Sequence, residues 1–151
     1  MRVAIVMGSP SDSETMAAAE PYLTFFGINF ETHILSAHRT PQQTAEFARK
    51  AESEGFSAII AGAGMAAHLA GVIASYTALP IIGVPLGGSA LNGVDALYAM
   101  VQMPAGVPVA TMAIGKAGAR NAAIFCAEMF AAHDQSIREK LQLFRQNGCK
   151  I

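Results

Sequence analysis

Five times along this chain a short apolar run stops at a turn rich in glycine or serine and is followed by a stretch with helical spacing. That alternation restricts the fold to a parallel sheet with helices on both faces, because each parallel crossover needs roughly a helix's length of chain. Arg2 to Met7 reads as a buried first strand, and Met16, Ala19, Leu23 and Phe26 then recur at helical spacing until Gly27 stops the helix. Ile28 to Leu35 and Pro41 to Glu54 form the second strand and helix, and Ser57 to Ala61 with Met65 to Tyr76 the third pair. Ile81 to Val84 with Val94 to Val101, and Val109 to Ile114 with Gly118 to Ala132, complete the series. For five strands the commonest arrangement is a flavodoxin-like three-layer α/β sandwich whose central parallel sheet has the order 2-1-3-4-5. Beyond His133-Asp134, Ile137, Leu141 and Phe144 share one stripe and predict an extra C-terminal helix. No linker or internal repeat divides the chain, so residues 1–151 are expected to form one domain.

Charge narrows the range of partners. The formal net charge is −1 and the basic residues are scattered, which argues against a nucleic-acid or anionic membrane surface. Charged residues make up 14% of the chain, against roughly 25% in ordinary soluble domains, and between Glu54 and Lys116 the only one is Asp95. A membrane span within Ala58 to Val84 would explain that scarcity. However, His68, Ser75, Thr77, Pro80 and several glycines break the stretch into strand, helix and strand. Burial against copies of the same chain explains it better, so a homo-oligomer is expected. Cys126 and Cys149 lack CxxC or metal-ligand spacing, and Cys126 sits in an apolar helical run as a reduced thiol. The apolar stretch after Met1-Arg2 ends at Gly8, too short for a signal peptide, so the chain reads as uncleaved and cytoplasmic.

In open parallel sheets ligands bind beyond the carboxyl ends of the strands, where the strand-to-helix loops sit. Ser36-Ala37-His38-Arg39-Thr40-Pro41 is such a loop and puts a proton-transfer group beside a fixed cation. Thr40, Pro41 and Gln43 have the spacing of a helix N-cap, first residue and capping box. Gly8-Ser9-Pro10-Ser11-Asp12, with Ser11 to Glu14 in capping-box spacing, offers amides and hydroxyls suited to a phosphate, with Asp12 an acceptor for ribose hydroxyls; helix capping by Ser11 and Asp12 is the equally simple alternative. It contains neither a Walker sequence nor GxGxxG, which disfavours nucleoside triphosphates and dinucleotides. Gly62-Ala63-Gly64-Met65-Ala66-Ala67-His68 has small side chains that let a ligand approach the backbone. On an apolar helix face His68 reads equally well as a core residue, and His33 and His133 read as structural. Gly87 to Gly93 and Gly115 to Asn121 are two further glycine-rich loops able to wall a pocket, the second with Lys116 and Arg120 as cations for an anion or a neighbouring subunit. Met100, Met103 and Met112 read as core filler.

Taken in order, Gly8-Ser9-x-Ser11-Asp12, Ser36-Ala37-His38-Arg39-Thr40, Ala61-Gly62-Ala63-Gly64-x-Ala66-Ala67-His68-Leu69, Val101-Gln102-Met103-Pro104 and Ala113-Ile114-Gly115-Lys116-Ala117-Gly118 closely resemble the N5-carboxyaminoimidazole ribonucleotide mutase family of purine biosynthesis. The resemblance runs from about Arg2 to the last helix. It implies a nucleotide-binding catalytic domain in a homo-octamer, active sites at subunit junctions, and no metal or organic cofactor. It assigns the ribonucleotide's phosphate and ribose to Ser9, Ser11, Asp12, Ser36 and Arg39, and the catalytic histidine to His38. Ala37, Gly64, Met65, Ala66 and Leu69 are carried over as further substrate-binding residues, and His68 as a second catalytic residue that shapes a carbon dioxide pocket. The upstream carboxyaminoimidazole ribonucleotide synthetase is a candidate for transient contact. Two positions depart from the common pattern: Gly87-Gly88-Ser89 stands where many bacterial members carry Gln-Ser, and Met65 where glycine is common.

The implied reaction moves a carboxylate from an exocyclic nitrogen to a ring carbon, and needs one group that gives and takes a proton near neutral pH. A related class, the direct aminoimidazole ribonucleotide carboxylase, lacks the Ala-Ala-His-Leu signature that stands here at Ala66 to Leu69. A non-catalytic flavodoxin-like mononucleotide module is the alternative from another class. A phosphoacceptor receiver would need acidic residues where Met7-Gly8 and Ala61-Gly62 stand, and a flavin would need aromatic loops.

Overall fold

The computed structural model describes residues 1–151. Its five parallel strands are β1 (Arg2–Met7), β2 (Asn29–Ile34), β3 (Ala58–Gly64), β4 (Ile81–Leu86) and β5 (Ala110–Thr111), in the order β2-β1-β3-β4-β5. The helices are α1 (Ser13–Met16), α2 (Glu20–Phe26), α3 (Pro41–Lys50), α4 (Leu69–Ala74), α5 (Val94–Val101), α6 (Lys116–Phe130) and α7 (Gln135–Gln146).

Side-chain alternation along β1 divides the core. Val3, Ile5 and Met7 point to the layer containing α2, α6 and α7, where Leu23, Phe26, Cys126 and Phe144 are buried. Ala4 and Val6 point the other way, against α3, α4 and α5, with Ala48, Leu69, Ile73 and Met100. The predicted C-terminal helix therefore packs on its own sheet: Ile137 and Phe144 are buried, and Phe144 meets Tyr22, Phe25 and Phe26. Its start is capped by the Asp134 carboxylate, which accepts from the Ser136 and Ile137 amides. Burial pushes the Cys126 thiol up to about 12, so it stays protonated.

Several boundaries differ from the pattern-based reading. The first helix is not continuous: turns of 3-10 helix at Pro10–Asp12 and Ala17–Ala19 alternate with α1 and α2. The second helix ends at Lys50, and residues 51–55 form turns. The third starts at Leu69 instead of Met65, because Met65 turns the chain with a φ of 57°. β3 correspondingly runs on to Gly64 and β4 to Leu86. The fifth strand is only two residues long. Past Thr111 its ties to β4 become irregular, with the Met112 amide on Gly83 O and the Gly115 amide on Pro85 O.

Candidate active site

Four loops at the carboxyl ends of β1 to β4 enclose a cleft of about 570 Å³. Ser9, Ser11 and Asp12 come from the first loop and Ser36, Ala37, His38 and Arg39 from the second. Gly64, Met65, Ala66, His68 and Leu69 come from the third, so every residue that the family resemblance assigned to the site borders this one cavity, whereas the candidate cations Lys116 and Arg120 do not. Gly87 and Gly88 supply the fourth wall. Gly8 and Ala63, members of the first and third candidate loops without an individual role of their own, also line it. The loop after β5 and the Val101 to Pro104 segment do not reach it.

Local hydrogen bonds set each wall. Ser9 is extended (φ −152°, ψ 151°), and its Oγ accepts from the Ser11 amide at 3.3 Å and the Ser11 hydroxyl at 2.9 Å. The cap thus belongs to Ser9, and the Ser11–Glu14 capping box is not formed. Glu14 instead accepts from Lys116 Nζ at 2.6 Å. In the second loop the Thr40 hydroxyl accepts from the Ser36 amide at 3.0 Å and donates to the Ser36 carbonyl at 3.1 Å. The Ser36 hydroxyl accepts from the Arg39 amide at 3.1 Å. These bonds close a tight turn in place of the expected Thr40–Gln43 capping box, and leave His38 and Arg39 exposed at its tip. Arg39 has no carboxylate or carbonyl partner within the chain, whereas Arg2 pairs with Glu31 and Arg145 with Glu128. An exposed guanidinium lining the same cleft as the Ser9, Ser11 and Ser36 hydroxyls is suited to an anion.

His38 lies across from the third loop. His38 Nε2 stands 2.8 Å from His68 Nδ1, with the rings edge to face at a centroid distance of 4.9 Å. One of the two facing nitrogens donates and the other accepts, so the proton at this contact sits on only one of the rings. His68 occupies the residue before α4, not the helix itself, which lets its ring reach back into the cleft. His33 instead packs against Phe47 and Phe56. Lys116 pairs with Glu14 outside the cleft. No group of three or more His, Cys, Asp or Glu side chains is placed to hold a metal ion.

Burial at the cleft raises the Asp12 carboxyl above its ordinary value of 3.8, partly offset by a contact with the Ser9 backbone. A folded-state value above the unfolded one means that ionised Asp12 costs stability at neutral pH, and the cost fades as pH falls through the folded-state value. Asp12→Asn is therefore expected to melt above the wild type at pH 7, with the difference shrinking as pH falls through the raised folded-state value and gone below the ordinary value of 3.8. Thermal melts across that range check it.

Residues 2–150 match the AIR carboxylase family model. The N5-carboxyaminoimidazole ribonucleotide mutase of Vibrio parahaemolyticus is 51% identical over 145 residues, covering 96% of this chain and 90% of that protein. The Escherichia coli K12 protein of the same name is 50% identical over 145 residues, covering 96% and 86%. The crystal structure of Treponema denticola PurE superposes with a TM-score of 0.88 at 26% identity, covering 97% of this chain and 90% of that one. With the sheet order, the cleft and a match that leaves out only the two terminal residues in agreement, the chain belongs to the AIR carboxylase family.

Proposed function

We propose that this chain is a mutase that converts N5-carboxyaminoimidazole ribonucleotide to 4-carboxy-5-aminoimidazole ribonucleotide in purine biosynthesis. Support comes from relatives of that name at about half identity over nearly their whole length. The observation that carries the reading to a site is the His38–His68 contact of 2.8 Å in a cleft whose other walls offer serine hydroxyls and an unpaired arginine.

The geometry suits the following sequence. Ser9, Ser11, Ser36 and Arg39 hold the phosphate, and Asp12 accepts from the ribose hydroxyls. His38 delivers a proton to the exocyclic nitrogen as its bond to the carboxylate breaks and carbon dioxide leaves. Ring C4 then attacks the carbon dioxide, forming the new carbon–carbon bond, and His38 removes the C4 proton to restore aromaticity. Protons balance, since His38 regains what it gave. His68 orients His38 and, with Gly64, Ala66 and Leu69, shapes the carbon dioxide pocket.

Arg39 tests the anchor. A bidentate guanidinium–phosphate contact is planar, so Arg39→Lys is expected to weaken nucleotide binding even though the charge is kept, and Arg39→Ala more so. Because the phosphate anchor also orients the ring, part of the loss is to appear in kcat. Calorimetric titration of both variants with the product nucleotide checks this, and unchanged affinity in both would make Arg39 structural.

The proposal includes a homo-oligomer, an octamer by family resemblance, working in the cytoplasm. Tyr76, Leu91, Val94, Tyr98 and Val101 are exposed apolar residues within the charge-poor stretch, and no helix is long and apolar enough to cross a membrane. Light scattering at micromolar concentration is expected to give a mass above a dimer's. Because an N-carboxylated amine loses carbon dioxide readily in water, direct hand-over from the upstream synthetase remains part of the proposal.

The reaction itself is tested by supplying the N-carboxylated nucleotide without ATP or added bicarbonate, and in parallel the uncarboxylated nucleotide with bicarbonate. A mutase yields product efficiently from the first. Efficient turnover of the second alone would make the chain a direct carboxylase, and turnover of neither a binding module.

A further inference from the structure

Met65 combines two unfavourable features. Its φ of 57° lies in the left-handed region, where a Cβ crowds the backbone and residues other than glycine are uncommon. Its side chain is 66% exposed, so no buried contact offsets that strain. Strain of this kind persists where its surroundings enforce it and clusters at functional sites. Here the turn is tied by the Ala67 amide to Met65 O at 2.9 Å and the His68 amide to Ala66 O at 2.8 Å. Met65 stands in the wall of the cleft, three residues before the ring that touches His38. Apart from the buried Leu69, it carries the only apolar side chain in that wall larger than a methyl group.

Beside it the wall is open. A Cβ on Gly64 would stand 3.2 Å from Leu86 O and 3.4 Å from Gly87 O, so the third and fourth loops lie against each other at that point. The next two residues along the fourth loop, Gly87 and Gly88, border the cleft, and a Cβ on either would meet nothing within 4 Å. A flexible, unbranched, apolar side chain thus stands next to unfilled space. Methionine is well suited to such irregular gaps.

We infer that Met65 closes this gap once nucleotide is bound, folding across Gly87 and Gly88 and holding released carbon dioxide beside the ring carbon that captures it. The inference rests on the mutase reading above. Met65 takes no part in the proton transfers of His38. It acts on the partition of carbon dioxide between capture by C4 and escape to solvent. A wall that lets carbon dioxide out also lets solvent carbon dioxide in, so isotope exchange reports on it directly.

The test supplies unlabelled N-carboxylated nucleotide in 13C-bicarbonate buffer, with enzyme in excess so that turnover outruns spontaneous decarboxylation, and reads 13C in the product carboxylate by mass spectrometry. Wild type is expected to give essentially unlabelled product, and Met65→Gly a labelled fraction severalfold higher. Met65→Leu, which keeps an apolar chain of similar length, is expected to retain as the wild type does. Gly87→Leu, added to Met65→Gly, is to lower the labelled fraction again by filling the gap from the other side. Met65→Gly is also expected to melt no lower than the wild type, because glycine adopts the left-handed conformation freely and no packing is lost. An equal labelled fraction in Met65→Gly and wild type overturns the inference, as does a marked fall in its melting temperature, which would make Met65 a packing residue. If the wild type forms no product from the N-carboxylated nucleotide, the mutase reading itself falls, an outcome distinct from either.

Discussion

His38→Asn is expected to abolish turnover while leaving the fold and nucleotide binding in place. The amide keeps the polarity of the imidazole, although its shorter chain gives up the contact of 2.8 Å between His38 Nε2 and His68 Nδ1. What it lacks is a group that gains and loses a proton near neutral pH, and the proposed reaction needs that group twice, once at nitrogen and once at C4. Loss of a positioned acid/base group costs on the order of 10²-fold or more in rate. Because His38 is exposed at the tip of a turn closed by Ser36 and Thr40, the substitution removes no core packing, and the melting temperature is expected to stay near the wild type's. Steady-state rates, a thermal melt and a titration with product separate these effects. Near-normal turnover in the purified variant would remove His38 from the chemistry.

Gly118→Ala is expected to produce the largest loss of stability of any single methyl group added to the chain. α6 lies on the sheet through small residues, with Gly118, Ala119, Ala122, Ala123, Cys126 and Ala127 all buried. At its first turn the helix presses so closely on the preceding segment that a Cβ at Gly118 would stand 1.7 Å from Ala113 O and 2.8 Å from Ala113 C. Both are backbone atoms, so no side-chain rotation relieves the clash, and the start of α6 must move off the end of β5. Overpacking of a well-filled core typically costs about 1–3 kcal/mol, and a clash with backbone lies at or beyond the upper end of that range. Gly87→Ala is the matched control, since a Cβ there meets nothing within 4 Å. Urea denaturation is expected to place the control near the wild type and Gly118→Ala far below it or insoluble. Equal midpoints would show that α6 shifts at little cost.

How far the sequence reveals this protein depends on whether a feature is local or lies between distant segments. β1 was legible because five consecutive buried apolar residues, Val3 to Met7, leave a short run no other role in an alternating α/β pattern. β5 was overestimated because Val109 to Ile114 has the composition of a strand, while an edge position with one neighbour supports only the Ala110 and Thr111 pairings. The helix predicted from Met65 starts four residues late, because apolar periodicity carries no record of a residue in the left-handed region. In the site, every candidate residue was legible singly, as a small, hydroxylic or ionisable group on a strand-to-helix loop. Their mutual geometry was not. The contact between His38 and His68 spans 30 positions and depends on β1 separating β2 from β3 in the sheet. Lys116, a candidate anion site from its loop alone, lies outside the cleft and pairs with Glu14 across 102 positions.

The site assignment as a whole is most directly tested by a crystal structure with 4-carboxy-5-aminoimidazole ribonucleotide bound. The predicted result places the phosphate in hydrogen-bonding contact with Ser9, Ser11 and the Arg39 guanidinium, and the C4 carboxylate beside His38 and the Gly64 to His68 loop. A phosphate bound instead at Lys116 or Arg120, or a ring carbon out of reach of His38, would contradict the account.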